Sequence, residues 1–130
     1  MQHSAALQQK CSSKKEFIMD CLFCKIISGD IPSQKVYESE TVVAFKDINP
    51  QAPVHILIIP KFHIESLAEI TEDTVGVTAE IMLVAKQLAQ EFSLGNGYRV
   101  ITNIGDDGGQ TVHHLHFHLI GGKKLSEQMC

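Results

Sequence analysis

Apolar and polar positions alternate along much of this chain in a pattern that predicts a small α+β domain. Stretches with a two-residue period, or with a continuous apolar run, lie at Lys35–Glu38, Thr41–Asp47, Val54–Pro60, Tyr98–Ile104 and His114–Ile120. Ser39-Glu40 separates the first two stretches, which favours a hairpin. We therefore expect an antiparallel sheet of about five strands, packed in two layers against one long helix.

Two segments carry the features of helices. The first, Leu22–Ser28, is short, and Gly29 follows it as a C-terminal cap. The second begins after an N-cap at Thr71 and extends to about Leu94, where the sequence Gly-Asn-Gly ends it. At helical spacing, its predicted core face comprises Val75, Ala79, Met82, Ala85, Leu88, Ala89 and Phe92.

Composition limits the possible functions only modestly. The chain has 130 residues, 44% of them hydrophobic and 20% charged, which fits one soluble domain at residues 19–130. A net charge of -4 argues against a nucleic-acid polymer as partner, and no apolar run is long enough to predict a membrane span. Residues 1–18 are rich in Gln, Ser and Lys, and we expect a disordered arm or an added extension without a signal peptide. The expected location is cytoplasmic.

The segment HLHFHL at residues 114–119 alternates three histidines with three large apolar residues. Because successive side chains of a strand point to opposite faces, the imidazoles share one face and the apolar residues enter a core. A glycine-containing loop, residues 105–110, directly precedes this segment. Imidazoles beside such a loop are suited to metal binding or to attack on a phosphate.

Three separated segments together resemble the family of histidine triad nucleotide hydrolases and transferases. They are DINPQAPVH at residues 47–55, IPKFHI at 59–64 and GQTVHHLHFHLIGG at 109–122. The resemblance covers nearly all of residues 20–125, and the closing Gly121-Gly122 is similar to the nucleoside phosphoramidate hydrolase branch. The dinucleoside polyphosphate branch usually has Pro-Arg at that place. The resemblance implies a twofold homodimer, joined through the strand Tyr98–Ile104 and the helix at 72–94.

The expected chemistry is cleavage of the P–N bond of a purine nucleoside phosphoramidate. A neutral imidazole can attack phosphorus through one ring nitrogen if the other donates its hydrogen to a fixed acceptor. His116 occupies the middle position and is the expected nucleophile, forming a nucleotidyl-histidine intermediate; the family assigns that role to the middle histidine. The other catalytic candidates are the neighbouring triad members His114 and His118 and the hydroxyl of Thr111. No cofactor is expected to take part in catalysis.

The rest of the nucleotide needs polar contacts and apolar walls. Backbone amides of Gly109 and Gln110 are candidates to bind the phosphate oxygens. The resemblance places Asp47 at the ribose hydroxyls, Ile48 at the nucleoside and Asn103 near the phosphate or ribose. Candidate walls for the purine are Leu22, Phe23, Ile26, Phe45 and Ile48. From the residues alone, the apolar members are equally interpreted as core, and Asp47 as a turn residue.

Cys21-x-x-Cys24 supplies half of a tetrahedral zinc site. Relatives with this cysteine pair use two histidines that correspond here to His63 and His114. The resemblance therefore implies a structural zinc bound by these four residues, with no open position for water. The alternative is a reduced pair of small buried side chains.

Other functions remain open at this stage. The same residues could serve a dinucleoside polyphosphate hydrolase, a nucleotidyl transferase or a purine-nucleotide-binding regulatory module. A metal hydrolase with the three triad histidines as ligands is weaker, because no carboxylate stands beside them to act as a base. His55, inside an apolar strand, is expected to be a hydrogen-bonded core residue with at most a supporting role.

Overall fold

The computed structural model of this protein describes residues 21–128, so the expectations for residues 1–18 lie outside the described part. Two α-helices and five strands form within it, together with a 3₁₀ turn at Leu67–Glu69. In chain order they are α1 (Leu22–Ser28), β1 (Lys35–Glu38), β2 (Val42–Lys46), β3 (Val54–Pro60), α2 (Gly76–Glu91), β4 (Tyr98–Ile101) and β5 (Phe117–Gly121). None of the described helices has the length and apolar character needed to cross a membrane.

The five strands form one antiparallel sheet in the order β1-β2-β3-β5-β4, which confirms the predicted fold class. β3 is the central strand, and it pairs with β5 from Val54 opposite Gly121 to Ile58 opposite Phe117. β4 is an edge strand that pairs with β5, and β1 forms the other edge. β5 is therefore paired on both sides, and it carries His118 within the sheet.

Both faces of the sheet are covered, because successive side chains of the central strands point to opposite sides. The face toward α2 carries Val42, Ala44, Ile56, Ile58, Phe117 and Leu119. The opposite face carries Val43, Phe45, Leu57 and Ile59, which pack against Phe23 and Ile26 of α1. The short helix α1 therefore covers the face of the sheet opposite α2. The candidate site lies on that face, beside α1.

α1 and its cap agree with the sequence prediction. The Cys21 sulfur accepts a hydrogen bond from the backbone N–H of Cys24 at 3.3 Å, so the helix begins on a metal-ligand candidate. Gly29 adopts the left-handed conformation at φ 90°, and its N–H donates to the carbonyl of Ile26. A local sequence signal suffices here, because the cap is made within the helix itself.

The bounds and the core face of α2 differ from the prediction. Thr71 is not the N-cap, because its carbonyl accepts the N–H groups of Thr74 and Val75 in a turn that precedes the helix at Gly76. The core face comprises Val77, Ile81, Val84, Ala85, Leu88 and Ala89. Val75, Ala79 and Met82, which were expected in the core, are exposed. The helix carries apolar residues on two faces, and its periodicity alone could not decide which one meets the sheet.

Two strands are shorter than predicted. β4 ends at Ile101 and β5 begins at Phe117, so His114 and His116 precede the strand. Pairing of β5 with β3 begins at Phe117 opposite Ile58, although β3 continues to Pro60. Before Phe117 the chain bonds elsewhere, since the N–H of Leu115 donates to the carbonyl of Ile64 at 2.7 Å. The alternation nevertheless holds, since Leu115, Phe117 and Leu119 are all buried.

Candidate active site and metal cluster

The triad histidines lie together on the α1 side of the sheet, as the alternation predicted. The rings of His116 and His118 are 5.0 Å apart between centroids. Phe23 of α1 meets the rings of His114 and His116 edge-on, at centroid distances of 5.9 and 5.0 Å. Phe23, expected as a wall for the purine, therefore packs beneath the histidines.

His116 has the hydrogen bond that a histidine nucleophile needs. Its Nδ1 lies 2.7 Å from the carbonyl oxygen of His114. A carbonyl only accepts, so Nδ1 carries the hydrogen and Nε2 of the neutral ring carries the lone pair. Burial lowers the pKa of His116, although the hydrogen bond to His114 opposes that shift. The neutral form is thus favoured, and the hydrogen bond fixes its tautomer.

Thr102 is a residue of this site that the sequence analysis missed. β4 has ended one residue earlier, and the Thr102 hydroxyl continues the pairing by donating to the carbonyl of His116 at 2.8 Å. This bond holds the backbone of His116 where no strand partner is left. No sequence signal marks it, because a threonine after a strand is common.

His118 contacts His55 on the neighbouring strand, and His55 in turn contacts Asp47 in the loop before that strand. Its Nδ1 lies 2.9 Å from Nε2 of His55, and the same His55 nitrogen lies 3.4 Å from a carboxylate oxygen of Asp47. Asp47 also accepts the N–H of Asn49 at 2.8 Å, so it is at once the turn residue and a neighbour of the triad. Burial, followed by the nearby His116 and His55, lowers the pKa of His118 to about 4.

The loop before the triad is shaped by internal hydrogen bonds. The backbone N–H groups of Gly109 and Gln110 donate to the carbonyls of Asp106 and Gly105. The predicted arrangement of these two amides around a phosphate is therefore not present in this loop conformation. Their hydrogens close a turn because the loop folds back on itself at Gly109, where φ is 82°.

Two side chains hold this loop in place. The buried Gln110 amide donates to the carbonyls of Glu65 and Val112, at 2.7 and 3.0 Å, and accepts the N–H of Gly105 at 2.9 Å. Asn103 donates to the carbonyl of Gly108 at 2.8 Å. Thr111, which follows the loop, is exposed. Gln110 and Asn103 thus determine the shape of the loop in this structure.

The predicted purine walls divide into two groups. Phe23, Ile26 and Phe45 are buried in the cluster beneath the sheet, in agreement with the interpretation as core. Leu22 and Ile48 are exposed, at 43% and 89% respectively. An aliphatic side chain as exposed as Ile48, next to Asp47, is available to contact a flat ligand.

Cys21, Cys24, His63 and His114 lie together, as the family resemblance implied. Their ligand atoms all lie within 4.8 Å of one another. Nδ1 of His114 is 3.3 Å from the Cys21 sulfur, and Nδ1 of His63 is 3.3 Å from the Cys24 sulfur. Two sulfurs and two imidazole nitrogens are a donor set that tetrahedral metals prefer.

The hydrogen bonding of His114 fits a metal at this cluster. Its Nε2 donates to the carbonyl of Pro60 at 3.0 Å, so the lone pair lies on Nδ1, the nitrogen that faces the sulfurs. Complete burial lowers the pKa of His114 to about 3, which keeps the ring neutral. Burial also raises the pKa of the Cys21 thiol, so a thiolate there needs a cation. These four residues could bind a metal ion.

Comparison with known proteins agrees with this geometry. A family model described as "HIT domain" matches residues 28–125. Protein HitA from Neisseria gonorrhoeae is 44% identical over 102 residues, which cover 78% of this chain and 95% of that protein.

Two solved structures have the same fold. The HIT family hydrolase from Clostridium thermocellum is 47% identical with a TM-score of 0.83, over 85% of this chain and 97% of that one. The histidine triad nucleotide-binding protein from Candida albicans is 36% identical with a TM-score of 0.70, over 85% and 86%.

The five-stranded antiparallel sheet, with His114 and His116 just before β5 and His118 within it, together with these similarities, identifies a protein of the histidine triad class. The chain belongs to the HIT domain family.

Proposed function

We propose that this protein is a hydrolase of purine nucleoside 5′-phosphoramidates with His116 as its nucleophile. The observation that carries the proposal is the 2.7 Å hydrogen bond from His116 Nδ1 to the carbonyl of His114, which leaves the Nε2 lone pair free. The similarity to a HIT family hydrolase supports hydrolysis in general. The ending Gly121-Gly122 favours the phosphoramidate substrate.

The reaction then has two steps. Nε2 of His116 attacks phosphorus, the P–N bond breaks, and the departing amine takes up a proton as the nucleotidyl-histidine forms. Water next attacks the same phosphorus and gives up a proton, which replaces the one that the amine took, and the bond to Nε2 breaks to release the nucleoside monophosphate and the neutral ring. His118 and the Thr111 hydroxyl are the groups that can donate to the phosphate or to the amine.

Binding of the nucleoside is assigned to the rim of this site. The carboxylate of Asp47 accepts hydrogens from the ribose hydroxyls, and the exposed side chains of Ile48 and Leu22 contact the purine. The deeper members of the predicted set, Phe23, Ile26 and Phe45, hold the histidine strand in place. Contacts of the phosphate with the backbone amides of Gly109 and Gln110 would require the loop to open its internal hydrogen bonds, whereas the Asn103 amide uses one of its two hydrogens within the loop and can donate the other.

We assign a structural zinc to Cys21, Cys24, His63 and His114. When bound, zinc would supply a tetrahedral crosslink between α1 and the segment that leads into the triad. With four protein ligands it has no position for a reactive water, so the ion takes no part in the reaction. His114 then serves the site through its carbonyl and not as a group in contact with the substrate.

The expected assembly is a homodimer formed by the edge strand β4 and the outer face of α2. Tyr98 and Val100 of β4 are 43% and 38% exposed. Met82 and Leu83 of α2 are 43% and 68% exposed, and Val75, which precedes the helix, is 48% exposed. An apolar helix face next to an unpaired strand edge is a surface that self-association would bury.

The decisive experiment measures release of nucleoside monophosphate from adenosine and guanosine phosphoramidates. His116→Ala should lower kcat/KM by about 10³-fold or more, whereas His113→Ala, an exposed neighbour, should leave it nearly unchanged. Equal activity of parent and His116→Ala would reject the nucleophile. If the parent is inactive on phosphoramidates, turnover of dinucleoside polyphosphates or tight nucleotide binding without turnover would identify the alternative functions.

A further inference from the structure

The tautomer of His55 is determined by a backbone amide. The N–H of Gln51 donates to Nδ1 of His55 at 3.0 Å. An amide N–H cannot accept, so Nδ1 holds a lone pair, and the hydrogen of the neutral ring lies on Nε2. His55 is buried at 6% exposure, and burial lowers its pKa, which favours this neutral form.

The Nε2 hydrogen of His55 faces two acceptors. Nδ1 of His118 lies at 2.9 Å, and the carboxylate of Asp47 lies at 3.4 Å, so the shorter contact is the one to His118. If His55 donates there, His118 accepts on Nδ1 and carries its own hydrogen on Nε2. His116 and His118 then differ in the protonation of Nε2. Nε2 of His116 is a lone pair, and Nε2 of His118 is a donor.

We propose that His55 is a positioning residue that fixes His118 as the Nε2–H tautomer. The consequence rests on the proposed function: an N–H beside the nucleophile can donate to a phosphate oxygen or to the departing amine. Asp47 is the second acceptor of the same His55 hydrogen. When a ribose occupies Asp47, that carboxylate competes less for the hydrogen, and the bond from His55 to His118 strengthens.

A metal ion is a poorer explanation for these residues. The ligand atoms of Asp47, His55 and His118 lie within 4.8 Å of one another, which is compatible with a metal site. A metal on Nε2 of His55 would need the lone pair there, while the Gln51 amide holds the lone pair on Nδ1. His55 could bind a metal through Nε2 and accept the Gln51 N–H on Nδ1 only if its ring lost its hydrogen and became an imidazolate. A hydrogen-bond chain satisfies both ring nitrogens of His55 and Nδ1 of His118 without that cost.

The tautomer can be read directly from long-range ¹H–¹⁵N correlation spectra of the histidine rings in the full-length protein. We expect His118 and His55 as Nε2–H and His116 as Nδ1–H, with rings assigned from the spectrum of each His→Ala variant. A His118 ring in the Nδ1–H form would overturn the proposal from the parent protein alone, before any variant of His55 is made.

Two variants of His55 test the cause. His55→Gln places an amide N–H near the original Nε2 and should keep His118 as Nε2–H. His55→Phe keeps an aromatic ring without a donor and should release His118 into a mixture of tautomers, while His116 stays unchanged. Circular dichroism establishes that both variants are folded. An unchanged His118 tautomer in a folded His55→Phe protein would overturn the role of His55.

Kinetics separate this inference from the proposed function. His55→Phe should lower kcat about tenfold or more with little change in KM, and His55→Gln should recover most of the loss. If His116→Ala abolishes phosphoramidate hydrolysis but His55→Phe does not affect it, the function stands and the inference fails. If no phosphoramidate is cleaved, the spectra still decide the tautomer.

Discussion

The main-chain carbonyl of His114 accepts the Nδ1 hydrogen of His116 at 2.7 Å, while the His114 ring faces the sulfurs of Cys21 and Cys24. One residue thus contributes its ring to the metal-ligand cluster and its backbone to the nucleophile. Only Leu115 separates the two residues along the chain, and the contact with His116 is made by the backbone of His114 and not by its ring. The cysteine–histidine cluster and the histidine triad therefore share His114, whose ring belongs to the first and whose carbonyl orients the nucleophile of the second.

Removal of the metal should destabilise the protein before it affects catalysis. The reduced protein as isolated should contain about one zinc per chain, measured by atomic emission. Chelation, or Cys21→Ser, should lower the melting temperature by several degrees, because the link between α1 and the triad segment is lost. Activity measured well below the new melting temperature should fall much less.

A matched control is Ser28→Ala at the other end of α1, where the side chain is exposed. This variant should keep both the zinc content and the melting temperature. Parallel loss of activity and stability at every temperature after chelation would contradict a purely structural ion.

The acid limb of the pH–activity profile should lie below the ordinary histidine range. Burial lowers the pKa of His116 from 6.5, and it lowers that of His118 to about 4. Because the neutral ring is the reactive form, kcat/KM should stay constant as the pH falls through about 6.5 and should decline only at more acidic values. Steady-state rates across a constant-ionic-strength buffer series measure this. A decline centred at or above 6.5 would contradict the burial argument.

Gly108 should tolerate no side chain. A Cβ at this position would lie 2.2 Å from the carbonyl oxygen of Ile104, so the loop must shift to accept Gly108→Ala. We expect a loss of about 1–3 kcal/mol in the free energy of unfolding and weaker substrate binding. Gly76→Ala is the matched control, because nothing lies within 4 Å of its Cβ and the residue begins α2. It should be neutral or stabilise by about 0.5 kcal/mol in chemical denaturation. Equal changes in the free energy of unfolding for the two substitutions would contradict the steric argument and show that the loop accommodates a Cβ at residue 108.

Secondary-structure elements whose signals lie in adjacent sequence positions were predictable from the sequence. The cap at Gly29 and the strand Val54–Pro60 agree with the structure because their signals are local. The core face of α2 was wrong because Val77 and Met82 lie on two apolar faces of the same helix, and only contact with the sheet selects one. Secondary structure thus followed from local pattern, and the orientation of α2 did not.

The site divides in the same way. The cluster of Cys21 with His114 was expected from a family resemblance and forms in the structure. The contact between His55 and His118 was not expected, because it joins residues 63 positions apart across two strands. The bond from Thr102 to His116 arises at the first residue after β4, which ends three residues earlier than predicted. Side-chain hydrogen bonds depend on interatomic distances set by strand pairing and strand ends, and the pattern of apolar positions does not determine these distances.

Self-association should depend on the outer face of α2. Leu83 is 68% exposed on that face, and a carboxylate there would be left unpaired in an apolar contact between two copies. Light scattering coupled to size exclusion should give twice the chain mass for the parent and a single chain mass for Leu83→Glu at micromolar concentration. Gln90→Glu adds the same charge at an exposed position near the end of α2 and should remain dimeric. A monomeric parent, or a dimeric Leu83→Glu, would show that the apolar residues of this face do not hold two copies together.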